Sequence, residues 1–124
     1  MGVTDINLMF DVTWSDYAYS DWIEYAAKEQ IGDPDKDAAM LRAVSPLENA
    51  AKIKGPVLMA YGLQDRRVPI IHGERMRDAL LKQGTPVEWV VYQEEGHGFL
   101  LEKNRFDFYR RVARFLADNL NEKK

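Results

Sequence analysis

A chain of 124 residues fits one domain, and its 46% apolar and 30% charged residues are those of an ordinary globular protein. The net charge is −3 with both signs dispersed, which excludes the basic patch that nucleic-acid binding requires. The absence of cysteine excludes disulfides and thiolate metal sites, and no apolar run approaches the ~20 residues that span a bilayer.

The N-terminal stretch "MGVTDINLMF" has neither the basic flank nor the long apolar core of a secretion signal, so a cytoplasmic protein is the default expectation. "WSDYAYSDW" (14–22) concentrates aromatic residues at Trp14, Tyr17, Tyr19 and Trp22. A helix is expected from Asp21 to Ile31, capped by Ser20 and stopped by Gly32. Asp33-Pro34 reads as the start of a second helix running to about Val44, because a capping Asp followed by Pro suits a first turn. Ser45-Pro46 breaks it, and a short amphipathic turn, "LENAAKI", follows.

Beyond Gly55-Pro56 the pattern changes. "VLMAY" (57–61) is a continuous apolar run between turn residues, the signature of a strand buried on both faces. Residues 72–83 read as a helix with Met76, Ala79 and Leu80 on one face, ended by Gly84 and Pro86. "VEWVVY" (87–92) is a second strand. Asn104, with Asp107 three residues on, is expected to cap a last helix whose apolar stripe is Tyr109, Val112, Leu116 and Leu120. Strand, helix, strand, helix in this order predicts an α/β fold built on a parallel βαβ unit with flanking helices.

Parallel sheets carry functional groups on the loops beyond the carboxyl ends of their strands. Asp65 follows the first strand in "GLQDRRVP", and His97 follows the second in "YQEEGHGFLLEKN", between Gly96 and Gly98. Neighbouring strands would bring both loops to one sheet edge. There a carboxylate accepting the imidazole Nδ1–H fixes the tautomer and steadies the imidazolium during proton transfer. The residues alone leave a blander reading open, in which Asp65 bonds its own turn and His97 is solvated. A metal site of His72, His97 and Asp65 is disfavoured, because His72 should begin a helix and no HxxxH or HxH spacing is present.

The run from Pro56 to Phe99 resembles the C-terminal part of the catalytic domain in the prolyl oligopeptidase family of α/β-hydrolase serine peptidases. The blocks that carry the resemblance are Tyr61 to Pro69, "YGLQDRRVP", and Glu95 to Phe99, "EGHGF", in the family's order and spacing. "SPLENAAKIKGPVL" is similar to the segment that precedes the acid strand. The resemblance implies peptide-bond hydrolysis by a Ser-His-Asp triad with no cofactor, Asp65 as the acid and His97 as the general base. It also implies that the region of Val3, Ile6, Met9 and Phe10 helps line the substrate pocket. Arg66 and Arg67 are expected to hold the acid loop rather than bind substrate.

The chain departs from the family at the nucleophile. The triad serine belongs in a GxSxG elbow upstream of the acid. Ser15, Ser20 and Ser45 are the chain's serines, and none has flanking glycines. The chain is thus expected to be a C-terminal fragment of a longer peptidase, supplying the acid and the base and inactive alone. "GVTD" would be the stub of the preceding strand, and the open sheet edge would recruit a second copy into a homodimer. The other functional class left open is a non-catalytic α/β domain that binds or assembles.

Overall fold

The structure is a computed structural model, and it describes residues 2–11, 16 and 21–120. Ser15, Ser20, Trp14, Tyr17 and Tyr19 lie outside the described residues. In chain order the helices are α1 (Leu8–Asp11), α2 (Ala27–Gln30), α3 (Ala38–Val44), α4 (Ile71–Lys82) and α5 (Glu102–Leu120). A π-helical turn, Trp22–Ala26, leads into α2, and a short 3-10 turn, Ala50–Lys52, precedes the first strand.

Strands β1 (Val57–Gly62) and β2 (Val87–Tyr92) pair in parallel, with Val57 opposite Val87 and Gly62 opposite Tyr92. A parallel pair cannot be joined by a tight turn and needs a long crossover, which α4 supplies. Alternation along the strands then sorts the apolar residues onto two faces. Met59 and Tyr61 pack with Met76 and Leu80 of α4, joined by Val57, Val87 and Trp89. Ala60, Val90 and Tyr92 face the other way and meet Phe108 of α5 together with Phe99. Burial on both faces explains why "VLMAY" is apolar without alternation.

Several expected boundaries and faces differ. Asp33 does not start a helix. Its Oδ1 accepts the N–H groups of Asp35 and Lys36 at 2.9 and 3.3 Å, closing a separate turn, and α3 begins only at Ala38. Residues 2–5 form no strand. They lie as a strap: Tyr61 donates its hydroxyl to Gly2 O at 3.0 Å, Thr4 donates Oγ1 to His72 O at 2.6 Å, and Arg75 meets Asp5 at 3.4 Å. Ser45 is buried, donating to Leu41 O and accepting the Ile6 N–H, so its hydroxyl is spent on structure.

The last helix is turned relative to its expected stripe. Tyr109, Leu116 and Leu120 are exposed and only Val112 of the stripe is half-buried, whereas Phe108 packs on the sheet. The sheet-facing side is also polar. Tyr92 donates its hydroxyl to Asp107 at 2.8 Å, Arg111 bonds Asp107 at 2.7 Å and Glu88 at 3.3 Å, and Arg114 bonds Glu88 at 2.9 Å. Burial, and then the bond to Asp107, push the Tyr92 phenol up to about 12. The Arg111 and Tyr92 bonds hold the Asp107 carboxyl below its ordinary value.

Candidate active site

The loop after β1 leaves the sheet at Gly62, and the loop after β2 leaves at Tyr92, its register partner. Backbone bonds stitch the two loops together. Leu63 donates its N–H to Tyr92 O at 2.9 Å, and Gln64 donates to Glu95 O at 2.9 Å. The approach is so close that any Cβ at position 62 would collide with the carbonyl oxygens of Glu95 and Gly96. Glycine at 62 is therefore what lets the loops touch.

Asp65 ends up 1% exposed. Its Oδ1 accepts the backbone N–H groups of Arg67 and Val68, both at 2.9 Å, so the turn-forming role weighed from the sequence is real. Its Oδ2 lies 3.0 Å from His97 Nδ1. One carboxylate thus serves both readings, one oxygen holding the turn and the other meeting the imidazole. The His97 side chain is 42% exposed, and with Nδ1 engaged its Nε2 is left free for a reacting group.

The loop that carries His97 is anchored on either side of its apex. Gly96 and Gly98 face each other as an isolated bridge, with Gly98 at φ +123°, a conformation that L side chains rarely adopt. The Phe99 ring sits edge-on to Tyr92 at 4.7 Å and to Phe108 at 5.0 Å. Glu95, only 1% exposed, accepts the N–H groups of Leu100 at 2.8 Å and Leu101 at 3.0 Å and the Asn104 amide at 2.7 Å. Burial pulls the Glu95 carboxyl up, but the bonds from Asn104, Leu100 and Leu101 outweigh it and hold the group below its ordinary value.

Glu95 is the residue that the sequence reading missed. Asn104 was expected to cap α5, yet the helix begins at Glu102 and Asn104 serves Glu95 instead. The available signal was slight: an acidic residue next to a glycine-flanked histidine, in a loop that runs into the positive end of a helix.

His72 does not join the pair. It is buried on α4 with Nδ1 unpartnered, and among the described residues no group of three His, Asp or Glu side chains is arranged to hold a metal. Arg67 touches the acid loop through its backbone, while Arg66 reaches out to Asp16 at 3.3 Å, an exposed pair of little energetic weight. Val3 packs against the core on the α4 side, and Ile6 is tied by its N–H to Ser45. Met9 and Phe10 are half-buried on α1.

The sequence profile of the prolyl oligopeptidase family matches residues 2–123. The dipeptidyl aminopeptidase BIII of Pseudoxanthomonas mexicana is 35% identical over 104 residues, covering 82% of this chain and 15% of that protein. A puromycin-hydrolyzing peptidase of Mycobacterium tuberculosis shares the fold with a TM-score of 0.82 at 24% identity, over 97% of this chain and 18% of its own. The uncomplexed acylaminoacyl peptidase of Pyrococcus horikoshii gives 0.73 at 26% identity, over 94% and 19%. This chain spans less than a fifth of each of them. Its fold is accordingly part of an α/β-hydrolase fold, and a profile match along nearly its whole length makes it a member of the prolyl oligopeptidase family.

Proposed function

We propose that this chain carries the acid and the base of a serine-peptidase triad, Asp65 and His97, and that a residue outside these 124 supplies the nucleophile. The observation that carries the reading is the 3.0 Å contact between Asp65 Oδ2 and His97 Nδ1 at the carboxyl edge of a parallel sheet. The buried carboxylate holds the imidazole as the Nδ1–H tautomer. Nε2 then takes the proton of an attacking hydroxyl and later hands it to the leaving amine. The substrate would be a peptide, with Val3, Ile6, Met9 and Phe10 as candidate pocket residues.

Fluorophosphonate labelling tests the reading. The chain alone should take no label. A chimera in which its matched segment replaces that of the Pseudoxanthomonas mexicana relative should label, and should lose the label with His97→Ala. Labelling of Ser15, Ser20 or Ser45 in the chain alone, or chimera labelling that survives His97→Ala, would overturn it. The second reading, an assembly module, draws on a different observation: Phe106, Tyr109, Leu116 and Leu120 stand exposed on α5.

A further inference from the structure

The base loop has a mechanical difficulty built into it. A histidine flanked by glycines sits on the most pliable backbone available, and pliability works against holding an imidazole at 3.0 Å from one carboxylate oxygen. Packing at His97 itself does not solve this, since the side chain is 42% exposed. Something else must hold the loop.

We propose that Glu95 is a positioning residue for His97, its buried carboxylate closing the 95–101 loop into a ring that presses the imidazole onto Asp65. The carboxylate bonds the N–H groups five and six residues ahead, at Leu100 and Leu101, so the three-residue apex Gly96–His97–Gly98 is trapped between fixed ends. Asn104 Nδ2 adds a third bond at 2.7 Å, which ties the ring to the first turn of α5. The backbone of the same residue faces the other way. Its carbonyl accepts the Gln64 N–H beside Asp65, and its own N–H reaches Tyr92 O at 3.3 Å. One residue therefore clasps the acid loop, the end of β2, the base loop and the start of α5. Its carboxylate is consumed by these bonds and touches neither partner of the pair, so it acts through His97 and not on substrate. Hydrogen bonds to a buried ionised group are the strong kind, suited to overcoming the freedom of two glycines.

The inference rests on Asp65 and His97 forming a working pair, and the test separates the two. The chain is labelled with 15N, and two quantities are read: the His97 imidazole nitrogen shifts, which report the tautomer, and the amide order parameters of Gly96 and Gly98. The wild type should show the Nδ1–H tautomer and rigid amides of about 0.85, and Asp65→Asn, whose amide nitrogen would donate to Nδ1, should reverse the tautomer to Nε2–H while the loop stays ordered. Glu95→Gln should drop the Gly96 and Gly98 values below about 0.6 and move His97 toward the mixed tautomers of a free imidazole, with the β1 and β2 amide shifts unchanged. A wild type without the Nδ1–H form, or one indifferent to Asp65→Asn, sinks the pair and this inference with it. A pair that responds to Asp65→Asn but ignores Glu95→Gln sinks this inference alone and leaves Glu95 as a brace for the 100–101 backbone only. If Glu95→Gln does not fold, Asn104→Ala removes one donor and decides the matter. A smaller move in the same direction supports the role, and an unchanged His97 signature overturns it.

Discussion

At the scale of single residues, the two histidines have opposite surroundings. His97 is half in solvent against a carboxylate. His72 is buried with its Nδ1 unpartnered, and burial holds its imidazole below its ordinary value of 6.5, against the pull of Asp5 and helped by Arg75. The unfolded chain therefore takes up a proton at a pH where the folded chain does not. Stability from this position is complete above 6.5 and is lost as the pH falls through the lower, folded value. Glu95 and Asp107 are lowered too, but their ordinary values are 4.5 and 3.8, so their losses come at more acid pH. The expected outcome is a wild-type melting temperature that falls between about pH 7 and pH 5, and a His72→Leu variant whose melting temperature is flatter across that window. Equal slopes in calorimetry would dismiss His72 as the cause. Asp65 and His97 were legible as candidates because each lies just past a strand; topology left a turn-forming Asp65 and a solvated His97 equally open, and the two blocks that resemble the family singled out the pair. Glu95 could not be read so easily, because its role depends on amides that are identical in every residue and become partners only once α5 is in place.

At the scale of elements, β1, β2 and α4 were legible almost to the residue. Gly and Pro punctuate them, and burial leaves little room for polar interruption. The last helix was legible in extent but not in orientation. Its sequence places apolar residues on more than one side, and periodicity selects Tyr109, Val112, Leu116 and Leu120, of which only Val112 is half-buried. The side that meets the sheet is held by Phe108 together with Asp107 and Arg111, whose partners Tyr92 and Glu88 come from a strand. Such a polar clamp is invisible to hydrophobic spacing. Asp33 misled for a related reason, since an Asp-Pro pair closes a free-standing turn as well as it begins a helix. The clamp makes its own prediction. Tyr92→Phe keeps the ring against Phe99 and removes only the bond to Asp107, so it should cost about 1–2 kcal/mol in urea unfolding. A change too small to resolve would mean that Arg111 alone holds Asp107.

At the scale of the whole molecule, the described residues form a sheet of only two strands, each with its outer edge unpaired by another strand. A two-stranded sheet is marginal without added cover. The strap of residues 2–5 covers part of the α4 side, but α5 shows solvent a row of large apolar side chains. We propose that two copies associate about a two-fold axis, burying these surfaces against each other. Light scattering at micromolar concentration should give twice the 14.3 kDa of one chain, and a dispersed species of one chain mass would refute dimerisation. The stitching of the two loops has a consequence in time as well as in space. The Gln64 amide lies in an exposed turn, yet its proton is shielded by Glu95 O from across the gap between the loops. It becomes open to solvent deuterium only when the loops part. The exchange lifetime of that one proton is a clock for how often Asp65 and His97 lose each other.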